Sequence, residues 1–103
     1  MNNKIKIPKK FKLLGQTINV KFDNSLMFEN NWLVVADYRK RIIGLQPDGK
    51  QNKIYNENLE HTYLHELTHW ILHTMNEHEL NQNEKFVDVF SGLLHQALKT
   101  SEY

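Results

Sequence analysis

Residues 57–75 read Glu-Asn-Leu-Glu-His-Thr-Tyr-Leu-His-Glu-Leu-Thr-His-Trp-Ile-Leu-His-Thr-Met, and their periodicity sets the fold. At ~100° per residue, Tyr63, Leu64, Leu67, Trp70 and Ile71 cluster on one side of a helix, with His65 and His69 opposite. The pattern predicts an amphipathic helix whose histidines face away from the core. Positions i and i+4 lie one turn apart on one face, so His65 and His69 can offer two imidazole nitrogens to one ion. Glu66 is rotated one step away and stays free as a base. His65-Glu66-Leu67-Thr68-His69 is therefore an HExxH element in the setting that binds zinc.

A second helix is predicted over about residues 82–100. There Phe86, Val89, Phe90, Leu93, Leu94 and Ala97 make a wide apolar face against a narrow stripe of Glu84, Asp88, Ser91 and His95. The first half reads as strands. Residues 11–14 and 17–22 flank Gly15-Gln16 as a hairpin, and 32–38 and 42–46 follow, separated by Arg39-Lys40-Arg41. Pro47-Asp48-Gly49 ends the last strand with turn chemistry. Strands followed by helices predict an α+β fold. The expected architecture is a small N-terminal antiparallel or mixed sheet of about three or four strands. It packs on the HExxH helix and on a second helix that carries a glutamate ligand.

Composition narrows the class. The 103 residues suit one domain, spanning 1–103, with 1–10 as an extended or flexible segment. Hydrophobic residues at 40% and charged residues at 24% are ordinary for a globular protein, and a net charge of +1 makes no case for nucleic acid. Lys4, Lys6, Lys9, Lys10 and Lys12 alternate with Ile5, Ile7 and Phe11, the pattern of a solvated side of an extended segment. The absence of cysteine excludes a disulfide framework and fits a reducing cytoplasm. No apolar run is long enough for a secretion signal or a membrane span.

Four histidines, His61, His65, His69 and His73, recur every four residues, but only His65 is followed by Glu. A third ligand is required. The HExxHxxGxxH pattern fails, because Leu72 stands at the Gly position and Met75 at the final His. His73 is an alternative, but it lies about 6 Å further along the same helix, where a single ion is hard to share; it suits a supporting or exposed role. Glu84 is better placed, since 14 intervening residues let a second helix return antiparallel to the first. Asp88 then falls one turn below it and can accept a hydrogen bond from a liganding imidazole. A structural reading also accounts for Glu84 alone, as a helix-start acid in a capping box with Asn81, and Glu79 is a further candidate ligand. His95 lies 11 residues beyond Glu84, about 16 Å along the axis and too far to join the ligands.

His65-Glu66-x-x-His69 with Asn83-Glu84-x-x-x-Asp88 resembles the gluzincin zinc metallopeptidases, whose pattern is HExxH followed by NExxxD. The run Thr62 to His69 and the short spacing to Glu84 look like the minimal gluzincins, which include ImmA/IrrE-like and small phage and prophage members. Leu14-Gly15-x-x-Ile18-x-Val20 and Asp37 before Ile42-Ile43 extend the likeness, which covers about residues 11–99. Thr68 departs from the Gly common in HELGH forms. The resemblance implies that an edge strand above the active-site helix binds substrate backbone by strand addition, with residues 42–46 as the candidate edge.

The expected chemistry is peptide-bond hydrolysis. His65, His69 and Glu84 would leave one zinc position open for a water whose proton Glu66 takes and then passes to the leaving amine. Zinc would also polarise the carbonyl. His78, Tyr38 and Tyr55 are candidates for a second oxyanion donor, each with an ordinary surface or packing role as the alternative. The competing expectation is a zinc-stabilised protein-binding module with little or no catalysis, which a fourth protein ligand such as His61 or His73 would favour.

Overall fold

The computed structural model describes residues 5–22, 34–45 and 57–103. The fold is α+β, with four strands followed by three helices among these residues. The strands are β1 (Lys10–Leu13), β2 (Gln16–Phe22), β3 (Val34–Asp37) and β4 (Ile42–Leu45). The helices are α1 (Glu57–Thr74), α2 (His78–Gln82) and α3 (Glu84–Thr100). Trp32 and Tyr55 lie outside the described residues.

The sheet is mixed, in the order β1-β2-β4-β3, with β1/β2 and β3/β4 antiparallel and β2/β4 parallel. β1 and β2 are joined by Leu14-Gly15, both with positive φ (49° and 78°), the twist of a two-residue hairpin loop. Only Gly15 takes that conformation freely; Leu14 adopts it while almost fully exposed. β4 lies inside the sheet, which corrects its assignment to the edge. Ile42, Ile43, Gly44 and Leu45 are all buried, as a strand covered on both faces must be. The edge strand that packs along α1 is instead β3.

Ile18, Val20, Ile43 and Leu45 of the sheet and Tyr63, Leu64 and Trp70 of α1 form one core cluster. Trp70 Nε1 donates to the Ile42 carbonyl at 3.3 Å, which satisfies the indole and fixes α1 over β4. Ile5 and Ile7 also pack against this cluster while Lys6 and Lys9 remain exposed, so the described N-terminal residues lie extended along the core.

The chain leaves α1 through left-handed Asn76 (φ 65°). Asn76 N bonds the His73 carbonyl at 3.0 Å and Glu77 N bonds the Leu72 carbonyl at 2.9 Å, the paired bonds of a Schellman stop. This tight reversal brings α2 back against α1. Asn83 then caps α3, its Oδ1 accepting from Phe86 N at 3.0 Å. The cap is thus Asn83, and Asn81 is free for another task.

The packing face of α3 differs from the one its apolar residues suggest. Val87 and Ser91 are buried against α1, whereas Val89, Phe90 and Leu93 are 51%, 46% and 61% exposed. The stripe that carries Glu84 and Asp88 turns inward to the histidines of α1, and the wide apolar face turns partly outward. Phe86, Val89, Phe90 and Leu93 consequently line an open groove with Asn83 and Lys85.

The far end of the α1–α3 interface is closed by Glu60. Its buried carboxylate accepts from His95 Nε2 at 3.0 Å and from the Ile5 amide at 3.2 Å, with Lys99 Nζ at 3.4 Å. Burial pulls this carboxyl upward, but the bonds from His95 and Ile5 and the Lys99 charge outweigh it and hold it below the usual range. The stability this cluster provides is therefore present above the unfolded carboxyl's pKa and lost as pH falls through the lower folded value. Glu60→Gln is expected to cost about 1–3 kcal/mol at neutral pH. It should also flatten the acid side of a stability-versus-pH curve followed by circular dichroism; an unchanged acid limb would show that Glu60 does not contribute to it.

Candidate metal centre

α1 and α3 bring the three expected ligands together. His65 Nε2 lies 3.3 Å from Glu84 Oε1, and His69 Nε2 lies 3.3 Å from Glu84 Oε2. One ligand atom from each of the three residues falls within 4.8 Å of the others, a group able to hold a metal ion. The two imidazoles are 5.0 Å apart and inclined at 66°, so their Nε2 atoms converge from one helix face. Glu84, the first residue of α3, is 69% exposed, so the group opens toward solvent on its side.

The opposite ring nitrogens are turned to acceptors. His69 Nδ1 donates to Asn81 Oδ1 at 2.6 Å. His65 Nδ1 lies 3.6 Å from Asp88 Oδ1, an ion-pair distance longer than a hydrogen bond. A proton held on His69 Nδ1 leaves the Nε2 lone pair of that ring facing Glu84. Asp88 thus lies beside His65, at a distance that makes no hydrogen bond to it. Asn81 was not anticipated as a partner, because its reach depends on the Schellman reversal at Asn76, which no residue spacing encodes.

Glu66 is buried beside this group and lines a 210 Å³ cleft with His61, Thr62, His65 and Asp88. Burial pushes its carboxyl up to about 7; His69 opposes the rise and Glu84 adds to it. A carboxyl poised there exchanges a proton readily near neutral pH.

The remaining histidines have other occupations. His73 stacks on Tyr38 at 4.0 Å and meets Trp70 edge-on at 5.8 Å. His61 Nε2 lies 3.4 Å from Ser91 Oγ and 4.0 Å from Asp88, with its ring stacked on His95. Neither is a fourth member of the metal group among the described residues. Glu79 and His78 are exposed on α2 and stand apart from it. Tyr38 reaches the site from the β3–β4 turn, its hydroxyl contacting Asn81 and the His69 carbonyl. Burial raises its pKa against the Asn81 bond, and Glu66 and Glu84 raise it further, so the group stays a phenol.

Comparison with family models, with curated proteins and with solved structures finds no match to this chain. No helix among the described residues is long and apolar enough to cross a membrane.

Proposed function

We propose that this chain is a zinc-dependent endopeptidase of minimal gluzincin type, acting on a peptide or protein substrate. The observation that carries the reading is the convergence of His65, His69 and Glu84, with Glu66 buried beside them. Ligand atoms at the corners of a tetrahedron with bonds of ~2.0–2.2 Å lie about 3.3–3.6 Å apart. The two imidazoles each lie 3.3 Å from Glu84, through different carboxylate oxygens, so a small shift of the carboxylate would let one oxygen share an ion with both. Two imidazoles and one carboxylate are a donor set that zinc accepts while keeping a position open. When bound, zinc supplies an acidified water and a Lewis acid for the scissile carbonyl.

The chain's own residues do the rest. Glu66 takes the proton from the attacking water and returns it to the leaving amine. Asn81 holds the His69 imidazole in orientation, and the Asp88 carboxylate lies close to His65. A peptide laid along β3, the outer strand beside α1 among the described residues, would pair with it by strand addition. A cysteine-free domain suits a reducing compartment such as the cytoplasm.

The exposed strip of Val89, Phe90 and Leu93 favours a second reading, a zinc-stabilised module that works by contacting a partner. One experiment separates the two. Purified protein should bind about one zinc per chain by elemental analysis. It should also cleave an unstructured protein such as casein, lose the activity to a chelator and regain it with zinc. Stoichiometric zinc without cleavage of casein or a peptide library would leave the binding module as the better account.

A further inference from the structure

Tyr38 belongs to the turn between β3 and β4, yet its phenol is tied to the metal centre. Its oxygen lies 3.5 Å from the His69 carbonyl and 3.3 Å from Asn81 Nδ2, while Asn81 Oδ1 lies 2.6 Å from His69 Nδ1. The three residues form a closed ring of hydrogen bonds that begins and ends on His69.

The bonds of that ring all run in one direction. The phenol donates to the His69 carbonyl, an oxygen that only accepts. The phenol then has only lone pairs to offer Asn81, and the amide must present its NH2 to Tyr38. That turns Asn81 Oδ1 toward the imidazole. Because this oxygen also only accepts, the proton resides on Nδ1 and Nε2 keeps its lone pair. A reversed amide would aim its NH2 at Nδ1 and move the proton to Nε2, the nitrogen the metal needs bare. The 2.6 Å contact is the shortest in the ring, so the preference is strongest at the ligand itself.

We propose that Tyr38 is a positioning residue: its hydroxyl fixes the orientation of the Asn81 amide and thereby selects the His69 tautomer that can hold a metal. The inference rests on reading His65, His69 and Glu84 as a metal site. The hydroxyl's role is separable from that of the ring, which stacks on His73 at 4.0 Å and meets Trp70 at 4.9 Å. Phenylalanine retains both ring contacts and loses only the hydroxyl.

The test is a zinc-affinity measurement by competition with a chromophoric chelator on four proteins: the unaltered chain, Tyr38→Phe, Asn81→Asp and the double variant. A carboxylate has two equivalent acceptors and no orientation to lose. Tyr38→Phe should therefore weaken zinc binding about 10-fold when Asn81 is present. With Asn81→Asp, adding Tyr38→Phe should change little. Equal losses in both backgrounds would show a packing role and overturn the proposal, as would no loss in either. An unaltered chain that binds no zinc would overturn the metal reading and this inference together. Zinc binding that is indifferent to Tyr38→Phe would overturn the inference alone.

Discussion

Glu66→Gln is expected to abolish peptide hydrolysis, retain zinc and make the metal-free protein more stable. A glutamine amide cannot accept the water's proton, and losing a positioned general base costs about 10²–10⁴ in rate. Zinc stoichiometry should not change, because Glu66 is not one of the three converging ligands. The stability gain follows from the same burial that suits Glu66 to its task. Its carboxyl is raised from 4.5 to about 7, so the folded metal-free chain holds a proton that the unfolded chain has lost. Stability therefore falls as pH rises through that window and is lowest above it, by roughly 3 kcal/mol. Glutamine carries no such penalty. In chelator at pH of about 8, the variant should melt higher than the unaltered protein, and the two curves should converge toward pH of about 4.5. Hydrolysis surviving in Glu66→Gln would remove Glu66 from the mechanism, and coincident melts at the higher pH would show that its carboxyl is not desolvated.

The parts of this centre that were legible in the sequence are those fixed by local geometry. His65 and His69 share a face because an α-helix repeats every ~3.6 residues, whatever surrounds it. The hairpin around Gly15 and the order of strands before helices were legible for similar reasons. The outward exposure of much of α3's apolar face was not. Its apolar residues outnumber the polar stripe, and hydrophobicity alone would turn Phe90 and Leu93 inward; instead Glu84 and Asp88 face the histidines and those two side chains are exposed. The interior position of β4 did have a signal, the unbroken apolar run Ile42-Ile43-Gly44-Leu45, which suits a strand covered on both faces. The parts contributed by Asn81 and Tyr38 had none. They come together only through the left-handed stop at Asn76 and the turn after β3, contacts that span 12 and 43 residues of chain.

Zinc is expected to raise the thermal midpoint of the unaltered protein by about 10–20 °C when free zinc is ~100-fold above its dissociation constant. That figure is ~2.7 kcal/mol of linkage free energy spread over the unfolding entropy of a domain of this size. Glu84→Ala should erase the shift while barely altering the metal-free melt. Glu84 is the exposed first residue of α3, so its contribution to the metal-free fold is a helix-start charge effect of about 0.3–1 kcal/mol together with solvent-screened contacts to His65 and His69. Asn83 continues to cap the helix at Phe86 N without it. Any large difference between the two proteins must then appear only with zinc present, which separates a ligand from a merely structural glutamate. Glu79→Ala, on the exposed face of α2, should keep the full zinc shift. Should Glu84→Ala be stabilised by zinc as strongly as the unaltered chain, the third ligand would lie elsewhere. The two 3.3 Å contacts would then be only an ion pair between a carboxylate and neighbouring imidazoles.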